Sequence, residues 1–337
     1  MHEHDPLASD TISAERAAPY AGLDPDTMLD AIESVGLRPS GGLLALNSYE
    51  NRVYQIEMES GEFLVGKFYR PERWSSAAIR EEHAFSAELA DAEISVVAPL
   101  PIDGETLFEY RAYQFALFKR QGGHPPNLED QDDLEVLART LARIHAIGAT
   151  RPFAHRRSFS ATHLGHESRS FLLASPFIPM EMSSAYETTT AYLLEAIEGA
   201  LQDLDSQRIH GDCHMGNVLW REDTPHFVDF DDCLSGPVVQ DIWMLLSGER
   251  AERTAQLCTI LDAYFEFHDF PLHSLRAIEA LRTLRIMHHA AWIARRWHDP
   301  AFPMAFPQFD TPRYWSDHLL TLREQQAALE EPALTYM

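Results

Sequence analysis

The sequence predicts an α+β protein in two parts: a small antiparallel β-sheet with one helix set against it, followed by a larger, mainly helical part. Three observations carry this expectation. Within residues 43–69, apolar and polar side chains alternate with period two, as in strands with one buried face. Beyond about residue 119 apolar residues recur instead at helical spacing, as Leu134, Leu137, Ala138, Leu141 and Ile144 do. Between the two lies KRQGGHPPN, a Gly/Pro-rich connection. With 337 residues, 45% of them hydrophobic, the chain is long enough for two domains or one two-lobed unit. We expect a flexible tail over 1–22, an N-terminal lobe over 23–118 and a helical lobe over 119–337.

Each element has its own signals. In LDPDTMLDAIESVGL, Asp24 can cap a helix, Pro25 suits its first position and Gly36 can end it. VYQIEM alternates Tyr54, Ile56 and Met58 with Gln55 and Glu57; ESGE makes a turn and FLVGKFY returns as the partner strand. The helix AAIREEHAFSAELA follows, then a second hairpin with strands near TLFEY and YQFALF. In the helical part, periodicity predicts helices around 186–206, 249–268, 272–297 and 313–330. VLW (218–220) and HFVDF (226–230) read as two short strands joined by a turn at REDTP.

Composition narrows the function. There are 52 acidic against 27 basic residues, a formal charge of -25, which nucleic-acid backbones and anionic membranes repel. The bland reading of this acidity is solubility. No run of about 18 apolar residues is available to span a bilayer. The opening MHEHDPLASD is polar and acidic, unlike a signal peptide. Cys213, Cys233 and Cys258 form no CxxC pair, so neither a structural zinc site nor a disulfide framework is indicated. We expect a cytoplasmic monomer with neither a nucleic-acid nor a membrane partner.

The densest chemistry lies in IHGDCHMGNVLW (209–220) and the following HFVDF. A small hairpin folds back on itself, so Asn217 on its near side and Asp229 on its far side can converge on one ion. An amide oxygen and a carboxylate suit Mg²⁺, which takes hard oxygen ligands and fills its remaining positions with phosphate and water. Asp212, five residues before Asn217, is left free to accept a proton or hold an attacking hydroxyl. Phosphoryl transfer needs little more than such positioning and charge neutralisation. Zinc on His210, Asp212 and His214 is the chief rival, but the Gly-Asp between the histidines argues for a loop rather than the helix such a pair requires. DFDDC resembles an aspartyl-phosphate nucleophile motif yet lacks its hydroxyl residue and its parallel sheet, and a calcium loop fails for want of glycine and a distal glutamate.

HGD-x4-N followed by VDFDD resembles the catalytic loop and metal-binding segment of the protein kinase-like superfamily, in its aminoglycoside phosphotransferase/choline kinase branch. LNSYENRVYQ, KFYRPERW, GPVVQDIWMLL, RRWHDPAFP and the terminal EQ…LEEP extend the likeness to the bacterial stress response kinases, from about residue 23 to the C-terminus. Met215 and Gly66 depart from the expected residue sizes without touching a chemical role. The resemblance implies a bilobal kinase-like fold and a cytoplasmic, ATP- and Mg²⁺-dependent serine/threonine protein kinase of the stress response. At matching positions it implies Asp212 as proton acceptor, Asn217 and Asp229 as metal ligands, with Asp229 also catalytic, and Ser48 at the ATP phosphates.

A kinase also needs a cation for the phosphates. Lys67 lies mid-strand on the face of Val65 and Tyr69, where a charge is costly unless paired. Ala78, Phe85 and Leu89 define the buried face of the next helix; Glu82 falls within it and Glu81 at its edge. Glu82 is the expected partner, with Glu81 the alternative; otherwise Lys67 reaches out to water. Ser48 and Asn51, in ALNSYENRV, can cradle phosphate with backbone N–H groups in place of glycine, although a plain polar turn explains the string as well. Adenine is expected against Phe118 and Lys119. Asp241 either braces the catalytic loop or serves as a first-turn acid; His145 is expected to be structural. Cys213 lies within the loop, where an oxidised sulfur could block activity, although an inert neighbour is the simpler reading. Only CLSGPVVQ separates Asp232 from Asp241, too short for a long peptide-docking segment, so a small-molecule phosphotransferase and an inactive nucleotide-binding module stay open beside the protein kinase.

Overall fold

A computed structural model describes residues 18–337. Most of the tail expected over 1–22 lies outside the described residues, and its last part is not free. Tyr20 stacks on Tyr113 with ring centroids 6.3 Å apart, and its hydroxyl donates to the Glu50 carbonyl at 3.0 Å. Helix α1 (Pro25–Ser34) starts where the capping signal places it, with Asp24 accepting from the Thr27 N–H at 2.7 Å, and ends at Gly36 with φ +83°. Strands β1 (Pro39–Ala45), β2 (Arg52–Met58) and β3 (Phe63–Phe68) lead to α2 (Ser76–Asp91), then to β4 (Phe108–Tyr110) and β5 (Tyr113–Lys119). The five strands form one antiparallel sheet in the order β1-β2-β3-β5-β4. The period-two pattern shows in its packing: Ile56, Met58, Phe68, Phe115 and Leu117 pack with Met28 and Ile32 of α1.

The helical part comprises α3 (Gln131–Gly148), α4 (Glu167–Ala174), α5 (Met180–Glu198), α6 (Val239–Trp243), α7 (Arg250–Tyr264), α8 (Ile278–Arg295), α9 (Ala301–Ala305) and α10 (Pro312–Glu330). Four short strands, β6 (Gln207–Ile209), β7 (Val218–Arg221), β8 (Thr224–Phe227) and β9 (Leu234–Gly236), pair as β6 with β9 and β7 with β8. Leu137, Leu141 and Ile144 of α3 are fully buried, each contributing roughly 2 kcal/mol of transfer free energy. They share a core with Phe85 and Leu89, so α2 packs against the helical part with one end of its apolar face. A second core joins α4, α5, α8 and α10 through Leu172, Leu193, Leu284, Met287 and Trp315.

Several boundaries differ from expectation. The helix expected over 186–206 starts at Met180 and stops at Glu198, because the chain must turn to enter β6. The helix expected over 272–297 opens with a 3₁₀ stretch, Leu272–Ala277, and is regular only from Ile278. The strand expected over 226–230 is Thr224–Phe227, joined to β7 by a two-residue turn at Glu222 and Asp223, both with positive φ. A π-helical turn, Thr162–His166, and helices α4 and α9 carried too little periodicity to be read.

Candidate active site

The β7–β8 hairpin places its two oxygen donors side by side. Val218 pairs with Phe227, and beyond that pair the Val228 N–H donates to the Asn217 carbonyl at 3.0 Å, so Asn217 and Asp229 leave the same open end. Asp229 does not continue the strand. It adopts the left-handed region, φ 58° and ψ 64°, a conformation aspartate tolerates better than most residues. Its side chain is 49% exposed.

The loop ahead of the hairpin is held from beneath by one buried carboxylate. Asp241, at the start of α6, accepts from the His210 N–H at 2.9 Å, the Gly211 N–H at 2.8 Å and His145 Nε2 at 3.0 Å. His145 Nδ1 in turn meets the Tyr264 hydroxyl at 2.8 Å. Of the two readings of Asp241, the geometry is that of a brace, and His145 completes it. Gly211 has φ +83°, and a Cβ there would lie 2.4 Å from the Asp232 carbonyl oxygen, so this position requires glycine. Asp212 follows at once. Arg285 Nη1 of α8 lies 2.6 Å from its Oδ1, and the Asn217 amide donates to its carbonyl at 3.0 Å. Burial works to raise the Asp212 carboxyl, but His214 and Arg285 overcome it and hold the group well below the usual carboxylate range.

Lys67 enters from the sheet. Its ammonium lies 2.9 Å from Asp229 Oδ1, 3.3 Å from Asp231 Oδ1 and 3.6 Å from Glu82 Oε1, and its side chain is 7% exposed. Burial would strip its proton; Asp229 and Glu82 reverse that and push it above the ordinary lysine value. At Asp229, burial raises and Lys67 lowers, and the net shift is downward. Glu82 thus stands where the helix periodicity put it. Glu81 faces elsewhere: its carboxylate accepts the backbone N–H groups of Ala154, His155 and Arg156 at 2.5, 2.7 and 2.8 Å and fixes that loop.

Asn51 and Ser48, expected at the nucleotide, separate. Asn51 is 2% exposed; its amide donates to Asp231 Oδ2 at 3.1 Å and accepts the Arg70 N–H at 3.1 Å. Both ends of the amide are engaged within the protein, because an unpaired buried amide would be costly, so Asn51 braces Asp231 instead of facing the cleft. Ser48 lies partly buried in the β1–β2 loop, and Phe118 lies partly buried in β5 against Tyr69, Ile79, Leu107 and Ala116. The zinc alternative does not fit. His210 Nε2 is engaged by the Val228 carbonyl at 3.0 Å, and His214 Nδ1 accepts the Gly216 N–H at 2.9 Å.

Several residues of the site escaped the sequence reading. Asp231 is buried and bonded by Lys67, Asn51 and Arg73. Arg73 also reaches Asp232 at 2.6 Å. Arg156 donates to the Cys233 carbonyl at 2.9 Å and to the Asp231 carbonyl, with its guanidinium 3.9 Å above the Trp74 ring. The repeated acids of DFDD and the arginines of YRPERW and HRR were visible as charge, but nothing local says which cation meets which acid. Arg285 lies in a helix whose contact with Asp212 depends entirely on the fold.

Comparison with known proteins agrees with this geometry. Residues 43–278 match the phosphotransferase enzyme family. Stress response kinase A of Salmonella choleraesuis is 42% identical over 321 residues, covering 95% of this chain and 98% of that protein. The serine/threonine protein kinase RdoA of Salmonella typhimurium is likewise 42% identical over 95% of this chain and 98% of its own. Among solved structures, an amicoumacin kinase in complex with AMP-PNP, Ca²⁺ and amicoumacin superposes with a TM-score of 0.71 at 17% identity, covering 93% of this chain and 96% of that one, which shows a shared fold. The sheet, the helical part and the loop between them are those of a bilobal kinase-like phosphotransferase, and the chain belongs to the phosphotransferase enzyme family, among the stress response kinases.

Proposed function

We propose that this phosphotransferase is an ATP- and Mg²⁺-dependent serine/threonine protein kinase, acting in the cytoplasm as part of a stress response. One observation carries the chemistry: the Lys67 ammonium, the Asp229 carboxylate, Asn217 and Asp212 gather at a single cleft edge between the sheet and the catalytic loop. The names of the relatives support protein serine and threonine as the acceptor and the stress response as the setting.

The residues fit a hard cation. Among the described residues, Asn217 Oδ1 and Asp229 Oδ2 have no protein partner, and both are oxygen donors. They would hold the Mg²⁺, which supplies charge neutralisation at the ATP phosphates. Lys67 sets a second positive charge beside Asp229; Asp229 and Glu82 keep it protonated, and Glu82 and Asp231 hold it in place. Asp212 orients the acceptor hydroxyl and takes its proton as the phosphoryl group leaves ADP. A carboxylate held so far toward its ionised form is a weak base, which suits a loose transition state in which the hydroxyl proton departs late. The loop that would cover the phosphates is the β1–β2 turn with Ser48, and Phe118 and Lys119 of β5 form the edge against which adenine would lie.

A second reading, a small-molecule phosphotransferase, is favoured by one feature. The stretch between Asp232 and Asp241 is taken up by β9, paired with β6, and leaves no long segment to dock a peptide. Labelled ATP with Mg²⁺, mixed protein acceptors and mixed small alcohols separates the two. We expect label in protein, lost on removing Mg²⁺ and in Asp212→Ala and Asp229→Asn, with both variants folded because Asp229 is half exposed and Asp212 lies at the cleft. Label confined to small alcohols would overturn the protein-kinase reading. Unchanged transfer by Asp229→Asn would overturn the proposed metal site.

A further inference from the structure

The acceptor side of the cleft gathers several arginines in a chain with 52 acidic against 27 basic residues. One face of α8 forms its floor. Arg285 lies 2.6 Å from Asp212; further along, Trp292 Nε1 donates to Glu50 at 2.6 Å and Arg296 reaches Glu50 at 2.7 Å. This face runs from the proton acceptor to the β1–β2 loop, the two ends between which an acceptor must lie.

Beside it packs the π-helical turn Thr162–His166, held close because a Cβ on Gly165 would lie 2.8 Å from Leu284 of α8. Such turns are rare and occur often at functional sites. The turn places His163 with its ring centroid 5.3 Å from that of His288. Arg157 extends the cluster: Nη1 donates to His163 Nε2 at 3.4 Å, and its guanidinium lies 4.8 Å over Trp74. Arg295 completes it, donating to the Glu167 carbonyl at 3.2 Å.

The nearby acids are already taken. Asp232 holds Arg73 at 2.6 Å and Glu167 holds His163 at 2.8 Å. Among the described residues, Arg157 and Arg295 form no ion pair with a carboxylate, although the chain has 52 acidic residues against 27 basic ones. Burial is the main influence on His288 and Arg157, with neighbouring cations adding to it and Asp232 and Glu167 opposing it at Arg157. Burial, then His163 and Arg295, lowers His288 to about 3, and burial, then Arg73, lowers Arg157.

We infer that Arg157 and Arg295, with Arg285 beside Asp212, form a subsite for carboxylates that flank the accepting hydroxyl, so that the acceptor is a serine or threonine in an acidic segment. This rests on the protein-kinase reading. Opposite charges across such a groove select partners and their register, and they matter most where the protein's own acids do not already neutralise them. A cationic amino sugar would meet repulsion here.

The test uses the full chain with Mg²⁺ and labelled ATP on three matched peptides. Each carries one serine, flanked by aspartates and glutamates, by neutral residues, or by lysines. We expect kcat/KM on the acidic peptide to exceed that on the neutral one by about tenfold, with the gap narrowing in high salt. Arg157→Glu and Arg295→Glu, at surface or half-buried positions, should each cut that ratio severalfold, whereas Arg157→Lys should keep most of it. Peptides labelled without preference, or best with basic flanks, would overturn the inference and leave the kinase reading standing. So would an Arg157→Glu effect that appears wholly in KM for ATP and equally on all three peptides. If only small alcohols are labelled, the protein-kinase reading itself fails, and the inference with it.

Discussion

Replacing Lys67 with methionine tests the centre of the site. Methionine nearly matches the lysine stem in volume, so the change removes charge and leaves little cavity. The lost contacts are those to Asp229, Asp231 and Glu82 at 2.9, 3.3 and 3.6 Å. Removing one partner of a buried ion pair costs about 3–5 kcal/mol. Two features lower that figure: Asp231 keeps Arg73 and the Asn51 amide, and half-exposed Asp229 regains water. We expect a loss of about 2–3 kcal/mol at pH 8 in metal-free buffer, a fall in melting temperature of roughly 5 °C.

The pH dependence should change sign. In the wild-type protein Asp229 is lowered by Lys67, so its contribution is present above its unfolded pKa and is lost as pH falls through the folded one. In Lys67→Met the lowering by the ammonium is gone, and burial together with Asp212 raises the Asp229 carboxyl against Arg73. The folded variant then binds protons that the unfolded chain does not, and it gains stability as pH falls toward 5. The gap between wild type and variant should therefore shrink from pH 8 to pH 5, as followed by thermal and urea unfolding. A loss below about 1 kcal/mol at pH 8, or a gap independent of pH, would mean that the ammonium is hydrated and the arrangement is not a buried cluster.

Two further outcomes follow from the brace and the thiols. Asp241→Asn keeps the shape but turns one acceptor into a donor facing an N–H, so it should cost about 2–4 kcal/mol and lower kcat more than it raises KM for ATP; normal kcat would make Asp241 only a helix-start acid. Cys213 and Cys233 are buried, and burial lifts their thiols, Cys233 to about 12, so a thiol reagent should label Cys258 alone in the native protein. Native labelling of Cys213 with loss of transfer would instead make it an oxidation switch.

The strands, α2, α3 and the catalytic hairpin were legible because each is encoded by a local pattern. Period two, period 3.6 and capping residues act over a few positions, as Asp24 and Ile56 illustrate. Glu82 could be preferred over Glu81 because helix periodicity decides which side chain turns inward. The contacts that complete the site are between elements far apart in sequence: Asn51 with Asp231, Arg285 with Asp212, Asp299 with Arg70. No local pattern encodes them. The partners of Asn51, Asp231 and the Arg70 N–H, could not be read because a polar residue in a loop reads as solvent-facing unless its partner is known. Asp229 was taken as a strand residue because VDF alternates correctly, yet the chain leaves the extended region there to reach the buried Phe230 and Asp231.

The β1–β2 loop shows how the same contacts answer a question the sequence raised, namely how a loop without glycine could lie over phosphates. Glycine allows close backbone approach but leaves the loop loose, so order must be gained when ligand binds. Here the loop is tied from outside. Glu50 accepts from Trp292 at 2.6 Å and pairs with Arg296 at 2.7 Å, and the Tyr49 ring lies 5.2 Å from Phe306. Just beyond, Arg52 and Arg70 share buried Asp299 at 3.0 and 2.9 Å. Every one of these anchors belongs to α8, to the segment that joins it to α9, or, as Phe306 does, to the end of α9. The loop proposed to cover the phosphates is thus held by the helix that also carries Arg285 to Asp212. Nucleotide cover and acceptor floor are then one connected structure, and a substitution at Glu50 or Arg296 should act on both substrates rather than on ATP alone.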